Sequence, residues 1–151
     1  MTDADFMELT LRYANEAFAR GDWPVASVIV RDGDVLGAGQ NRQTTVTDVT
    51  MHAEIEAIRD AMRTHGAARV SGATLYTTME PCPMCAWAMK IAGIRRLVLG
   101  TRHATLKRTD LGTYSIEALC AMTGYALEVT QNVRETECTA LRLRWGKDQV
   151  R

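Results

Sequence analysis

ATLYTTMEPCPMCAWAMKIAGIRRLVLG, residues 73–100, is the stretch whose reading decides the fold. Its opening, Ala73 to Thr78, is rich in threonine, tyrosine and aliphatic side chains and reads as a strand. Pro83 suits the first position of a helix, where its missing N–H would have had no partner, and Gly93 marks that helix's stop. Arg95 to Gly100 follows as another core strand. A strand joined to the next strand through a helix implies parallel pairing and a right-handed crossover.

Elements outward from this unit agree with it. Thr2 followed by Asp5 can cap a first helix, in which Phe6, Leu9, Tyr13 and Ala17 recur at helical spacing and Gly21 marks the exit. Val25 to Val30 and Asp34 to Ala38 read as a hairpin around Asp32-Gly33. A loop over Gly39 to Val49 leads into a helix near Met51, with Ile55, Ile58 and Met62 on one face and Gly66 at its stop. Beyond residue 100, a helix from about Ser115 ends at Gly124, Tyr125 to Thr130 reads as a strand, and a last helix runs from a cap at Asn132, with Glu135 three residues on, to Trp145. The expected architecture is a single-domain, three-layer α/β/α sandwich with a mixed five-stranded sheet, spanning residues 1–151.

Composition bounds the function. A chain of 151 residues that is 46% hydrophobic can bury a continuous core as one domain without disulfides. Equal numbers of acidic and basic residues give a net charge of zero, so no global field draws the chain to a polyanion or a membrane surface, and a small ligand is expected. Four cysteines, two of them in one C-x-x-C pair, suit a reducing compartment, so cytoplasm is the expected location. The acidic start, Met1 to Asp5, does not read as a signal peptide, and no apolar run is long enough to span a bilayer.

Two fragments carry the chemistry. His52, Cys82 and Cys85 are three zinc ligands, one imidazole and two thiols, and three protein ligands leave the fourth corner of the tetrahedron for water. Both fragments fall at predicted helix N-termini, where exposed N–H groups and the helix dipole favour thiolate. Positions i and i+3 let Cys82 and Cys85 grip one ion, while i and i+2 point His52 and Glu54 in different directions. Glu54 is therefore the expected catalytic proton carrier of a hydrolytic reaction that replaces a ring amine by oxygen. A purely structural zinc site needs a fourth protein ligand, and the remaining cysteines, Cys120 and Cys138, lie inside predicted helices as small core residues. His65, beside a helix stop, and His103, in a basic loop, read as surface histidines.

On these residues the chain resembles the cytidine and deoxycytidylate deaminase superfamily, in the branch of cytosine deaminases, guanine deaminases and tRNA adenosine deaminases. The likeness rests on Pro24-Val25-Ala26, Gly39-Gln40-Asn41, His52-Ala53-Glu54-Ile55, the run Leu75 to Cys85, and Gly93 to Val98. It implies a cytidine deaminase-like fold, one zinc ion per chain and a homodimer. It also implies that Asn41 hydrogen-bonds the base and that the Ala53 and Glu80 backbones flank the water and substrate. By its spacing alone Asn41 reads equally as a turn asparagine. Trp145 reads either as a cover for the pocket or, at helical spacing from Leu141, as core. Ala26 stands where the family commonly has glycine.

Three substrate readings follow. Neutral charge, and the layout from Gly100 through Leu106-Lys107 to Val129, which looks like that of fungal-type cytosine deaminases, favour a deaminase of a free nucleobase or nucleoside, with that small molecule as partner. The alternative is a tRNA-specific adenosine deaminase. His103-Ala104-Thr105 departs from the aspartate and short Gly-Ala loop usual there, but Arg95, Arg96, Arg102, Lys107 and Arg108 form a basic cluster that could meet phosphates. The third, a non-catalytic zinc-binding module, has no use for Glu54.

Overall fold

Glycine at two alternate positions of one strand sets the depth of the molecule. In the computed structural model, which describes residues 1–146, strand β2 (Asp34–Gln40) lies directly beneath helix α3 (Ala53–His65). A Cβ on Gly39 would fall 2.2 Å from the Ala53 carbonyl and 2.4 Å from the Ala57 nitrogen; on Gly37 it would fall 2.6 Å from the Ala61 nitrogen. Only glycine admits a helix backbone this close. The first turn of α3 is thereby pressed onto the sheet.

The remaining elements are α1 (Asp3–Arg20), β1 (Ala26–Arg31), α2 (Gln43–Val46), α4 (Ala67–Val70), β3 (Thr74–Met79), α5 (Pro83–Ala92), β4 (Arg96–Thr101), α6 (Ile116–Thr123), β5 (Glu128–Thr130) and α7 (Glu135–Trp145). The sheet order is β2-β1-β3-β4-β5. Strand β1 pairs antiparallel with both β2 and β3, while β3–β4 and β4–β5 are parallel. This is the mixed five-stranded sheet expected from the sequence. One face is covered by α1 and α7, whose Phe6, Met7, Leu11, Cys138 and Leu141 meet Val28, Tyr76 and Val98. The other is covered by α3, α5 and α6 over Ile29, Leu75, Leu97 and Leu99. Strand residues of alternating parity thus serve two cores.

Local signals read from the sequence hold at most ends. Thr2 and Asp5 form a reciprocal capping box on α1, and Gly21, Gly93 and Gly124 stop their helices in the left-handed region. Three details differ. The loop after β2 contains the short helix α2. Strand β5 keeps only Glu128–Thr130, because Tyr125 turns its hydroxyl onto the Ile94 carbonyl at 2.7 Å. Asn132 does not cap α7: it and Arg134 both take left-handed backbone, φ 63° and 52°. Arg134 instead ties the start of α7 to α1, donating to the Ala4 carbonyl at 3.0 Å and to Glu8 at 2.9 Å. Among the described residues no helix is long and apolar enough to cross a membrane.

Candidate active site

His52 and Cys82 occupy equivalent positions on two helices. Each is the residue before the first turn, with extended backbone (φ −78°, ψ 152° and φ −71°, ψ 170°), and neither spends its side chain on capping. Pro83 begins α5 and brings Cys85 round onto the same side. The His52 Nδ1 lies 3.5 Å from Cys82 Sγ and 3.4 Å from Cys85 Sγ. All three donor atoms fall within 4.8 Å of one another. Zinc bonds of about 2.3 Å to sulfur and about 2.0 Å to nitrogen at tetrahedral angles require N···S separations of about 3.5 Å. The donor set therefore fits zinc in both chemistry and spacing.

Glu54, the second residue of α3, is fully buried beside this triangle. Ala53 is buried too, in an apolar cluster with Trp23, Val25 and Met79. Trp145 joins that cluster, half-buried, with its ring 5.7 Å from Trp23 and 6.1 Å from Phe18. It belongs to the wall around Ala53 and is core and neighbour of the site at once.

Asn41 is buried in its own turn. Its Oδ1 accepts from the Gln43 N–H at 3.1 Å, its Nδ2 donates to Gln43 Oε1 at 2.8 Å, and its carbonyl accepts from Arg20 at 3.0 Å. The turn reading of Asn41 is therefore met in full, and one lone pair of Oδ1 remains for a further donor. Glu80 has a second role, carried by its side chain. Its N–H donates to the Thr101 carbonyl at 2.8 Å, within the β3–β4 pairing. Its buried carboxylate holds both ends of the next loop: Oε1 accepts from the His103 N–H at 3.1 Å and Oε2 from the Ile116 N–H at 2.9 Å.

That loop supplies what sequence reasoning missed. Tyr114 donates its hydroxyl to the Pro81 carbonyl at 2.5 Å. Burial, and then the negative charges of Glu80, Cys82, Glu54 and Cys85, push its phenol well above the usual range, so it stays a neutral donor beside the ligands. No spacing rule links residue 114 to residue 81. His103, expected on the surface, is buried, its ring 5.9 Å from that of Tyr114; the backbone bond to Glu80 draws it in. His65 is exposed as expected. Cys138 is buried in the core, its thiol pushed up to about 12 by burial, and Cys120 is half-buried.

The basic cluster does not form a single patch. Arg96 is held by both oxygens of Asp3 at 2.9 and 2.6 Å, Arg102 by Glu117 at 2.8 and 2.6 Å, and Arg108 by Asp110. These carboxylates lie far away in sequence or fold back locally, which a charge count cannot show.

A water-activating metal triangle with a buried glutamate on an open α/β sheet defines a zinc-dependent hydrolytic deaminase, an enzyme acting on the C–N bond of a cyclic amidine. The chain belongs to the family described as the cytidine and deoxycytidylate deaminase zinc-binding region, which matches residues 1–101. It is 47% identical over 97 residues to a tRNA-specific adenosine deaminase of Agrobacterium fabrum, an alignment covering 64% of each chain. With a protein of the same name from Buchnera aphidicola it shares 29% identity over 147 residues, 97% of this chain and 95% of the relative. A solved structure from work on tRNA:A34 deaminases, which edit A to I at the wobble position of transfer RNA, superposes with a TM-score of 0.79 at 36% identity, covering 91% of this chain and 98% of that one.

These relatives overturn the expectation of a free base or nucleoside as substrate and partner, and favour the tRNA alternative. The physical reason is that net charge sums the whole surface, whereas binding of RNA depends on a few local cations. The layout after the fourth strand suggests a small-molecule enzyme, but the likeness to the Buchnera relative runs along 97% of the chain. A zinc module without chemistry is overturned likewise.

Proposed function

We propose that the protein is a tRNA-specific adenosine deaminase that converts adenosine to inosine in the anticodon. The observation that supports this most is the superposition over 91% of the chain, at 36% identity, on a tRNA:A34 deaminase, with the metal ligands and Glu54 at helix N-termini. His52, Cys82 and Cys85 would hold zinc, which when bound would supply the Lewis acidity that activates water.

In this reading Glu54 is the catalytic residue. It takes a proton from the water that attacks C6, delivers it to N1 of the ring, and then helps protonate the amine as the C6–N bond breaks and ammonia leaves. Burial of Glu54 keeps that proton from exchanging with solvent. Asn41 offers its remaining lone pair to the base, the Ala53 and Glu80 backbones line the approach, and Trp145 closes the apolar wall behind Ala53. The target nucleotide must be unstacked to enter, and a loop such as the anticodon makes that inexpensive.

The whole chain acts as one domain, in the cytoplasm, where its substrate is. We also propose a homodimer: Met84, Trp87 and Ile91 expose an apolar stripe on α5, the helix that begins just after Cys82 and carries Cys85. Sedimentation of the intact protein as a monomer would refute that assembly. The substrate is tested by ammonia release from a panel of free bases, nucleosides and an anticodon stem-loop RNA. Turnover of the RNA is expected; turnover of guanine or cytosine without it would overturn the reading.

A further inference from the structure

Loop residues 102–115 carry an arginine whose bonding is incomplete. The Arg108 side chain is only 8% exposed, and Asp110 engages two of its nitrogens, Nε at 2.9 Å and Nη2 at 2.5 Å. The third, Nη1, is buried and has no acceptor among the described residues. Buried guanidinium donors are ordinarily paired, because withdrawing them from water without an acceptor is unfavourable.

Arg108 lines a cavity of about 320 Å³ together with Thr105, Leu106, Lys107, Arg142 and Leu143. Lys107 is exposed and forms no salt bridge among the described residues. The other polar side chains of the wall have partners: Thr105 donates to Glu135 at 3.3 Å, while Arg142 lies 4.7 Å above the Trp23 ring and donates to the Gly146 carbonyl at 3.0 Å. Among the described residues no carboxylate lines the cavity. What it offers a ligand is the exposed ammonium of Lys107, with the guanidinium charge of Arg108 in the wall beside it, cations suited to an oxyanion.

Its position gives that anion an identity. Leu106, between the cavity's polar residues, packs in the same apolar cluster as Ala53, which His52 and Glu54 flank. The loop that lines the cavity leaves the C-terminal end of β4, the end of an open α/β sheet where ligands bind, and reaches the metal site through Leu106 and the bond from Tyr114 to the Pro81 carbonyl.

We propose that Lys107 and Arg108 form a phosphate-binding subsite that takes the phosphodiester adjoining the reacting nucleotide. This rests on the reading of the substrate as tRNA. Such contacts fix register on the strand and carry no base information.

The test uses the zinc-loaded protein and a labelled anticodon stem-loop RNA. Affinity is measured by anisotropy in a Glu54→Ala background across a salt series, and KM in the active enzyme. Lys107→Ala and Arg108→Gln are each expected to weaken binding about tenfold and to lower the slope of log affinity on log salt by about 0.7 to 1, and Arg108→Lys to restore most of the slope. Lys107→Ala removes a side chain with no hydrogen-bond or salt-bridge partner among the described residues, so its result stands even if Arg108→Gln disturbs the loop. Unchanged affinity and slope in both variants would overturn the subsite. So would binding of inorganic phosphate that depends on Arg108 while RNA affinity does not, since the site would then serve a free anion. Failure of the intact enzyme to deaminate any RNA would refute the substrate reading, whereas the binding measurement judges the subsite without turnover.

Discussion

Gly39→Ala should separate the role of the sheet in stability from its role in holding the metal. The new methyl would lie 2.2 Å from the Ala53 carbonyl oxygen, 2.4 Å from the Ala57 nitrogen and 2.9 Å from Glu56 Cβ, where ordinary contact begins at 3.4 Å. Two of these atoms are backbone and cannot rotate away, so the first turn of α3 must lift by roughly 1 Å. Overpacking of this kind costs about 1–3 kcal/mol, and in a chain of this size each kcal/mol lowers the melting temperature by about 2–4 °C. The same lift moves His52, whose Nδ1 stands 3.4 and 3.5 Å from the two sulfurs. Metal sites tolerate about 0.2 Å, and a misplacement of 1 Å costs about 100-fold in rate. Gly37→Ala is the comparison: its methyl meets Ala61 and the Ala57 carbonyl at 2.6–2.8 Å, one turn farther from His52. Both variants should melt lower by about 2–12 °C. Zinc content by metal analysis and kcat/KM on stem-loop RNA should fall much further in Gly39→Ala. Equal zinc content in the two, or full zinc and near-native turnover in Gly39→Ala, would refute the proposed coupling between β2 and the metal ligands.

Other outcomes follow from single contacts. Glu54→Ala should keep stoichiometric zinc and lose turnover by at least about 10²–10⁴; a variant that kept most of its activity would remove Glu54 from the chemistry. Glu80→Ala leaves the buried N–H groups of His103 and Ile116 without their acceptor, at about 1–3 kcal/mol each. Amide exchange at those two residues should quicken together, and unchanged exchange would show that the loop is held otherwise. Chelation of zinc should abolish ammonia release and lower the melting temperature, both restored by added metal. Burial, with the bond to Asp3, raises the Tyr76 phenol to about 12, and burial raises the Cys138 thiol to about 12. A pKa raised by folding stabilises below the unfolded value and ceases to do so as pH passes the folded one. Melting temperature should thus hold up to about pH 9 and decline between about pH 9 and 12. A decline complete by pH 9 would contradict it.

The parts of this molecule that were legible in the sequence are those fixed within a few residues. A capping box at Thr2 and Asp5, a proline at position 83 and glycines at helix ends act on neighbours, so their meaning survives without the fold. The metal ligands were legible for a chemical reason: imidazole and paired thiols at helix starts have few other uses. Side chains whose partners are remote were not. Glu80 reads as an ordinary acidic residue until the fold brings His103 and Ile116 to its two oxygens, 23 and 36 residues away. Asn132 has the look of a cap, yet Arg134 anchors to Ala4, 130 residues away, and that bond sets the start of α7. The substrate is hidden from the sequence for a related reason. Five cations between Arg95 and Arg108 appear equivalent along the chain, and a net charge of zero says nothing about which of them have been neutralised. Asp3 and Glu117 occupy Arg96 and Arg102, while among the described residues Lys107 and one nitrogen of Arg108 are left without a partner. Recognition of a polyanion is decided by the cations that remain after internal pairing, and that remainder exists only once the sheet and its loops are in place.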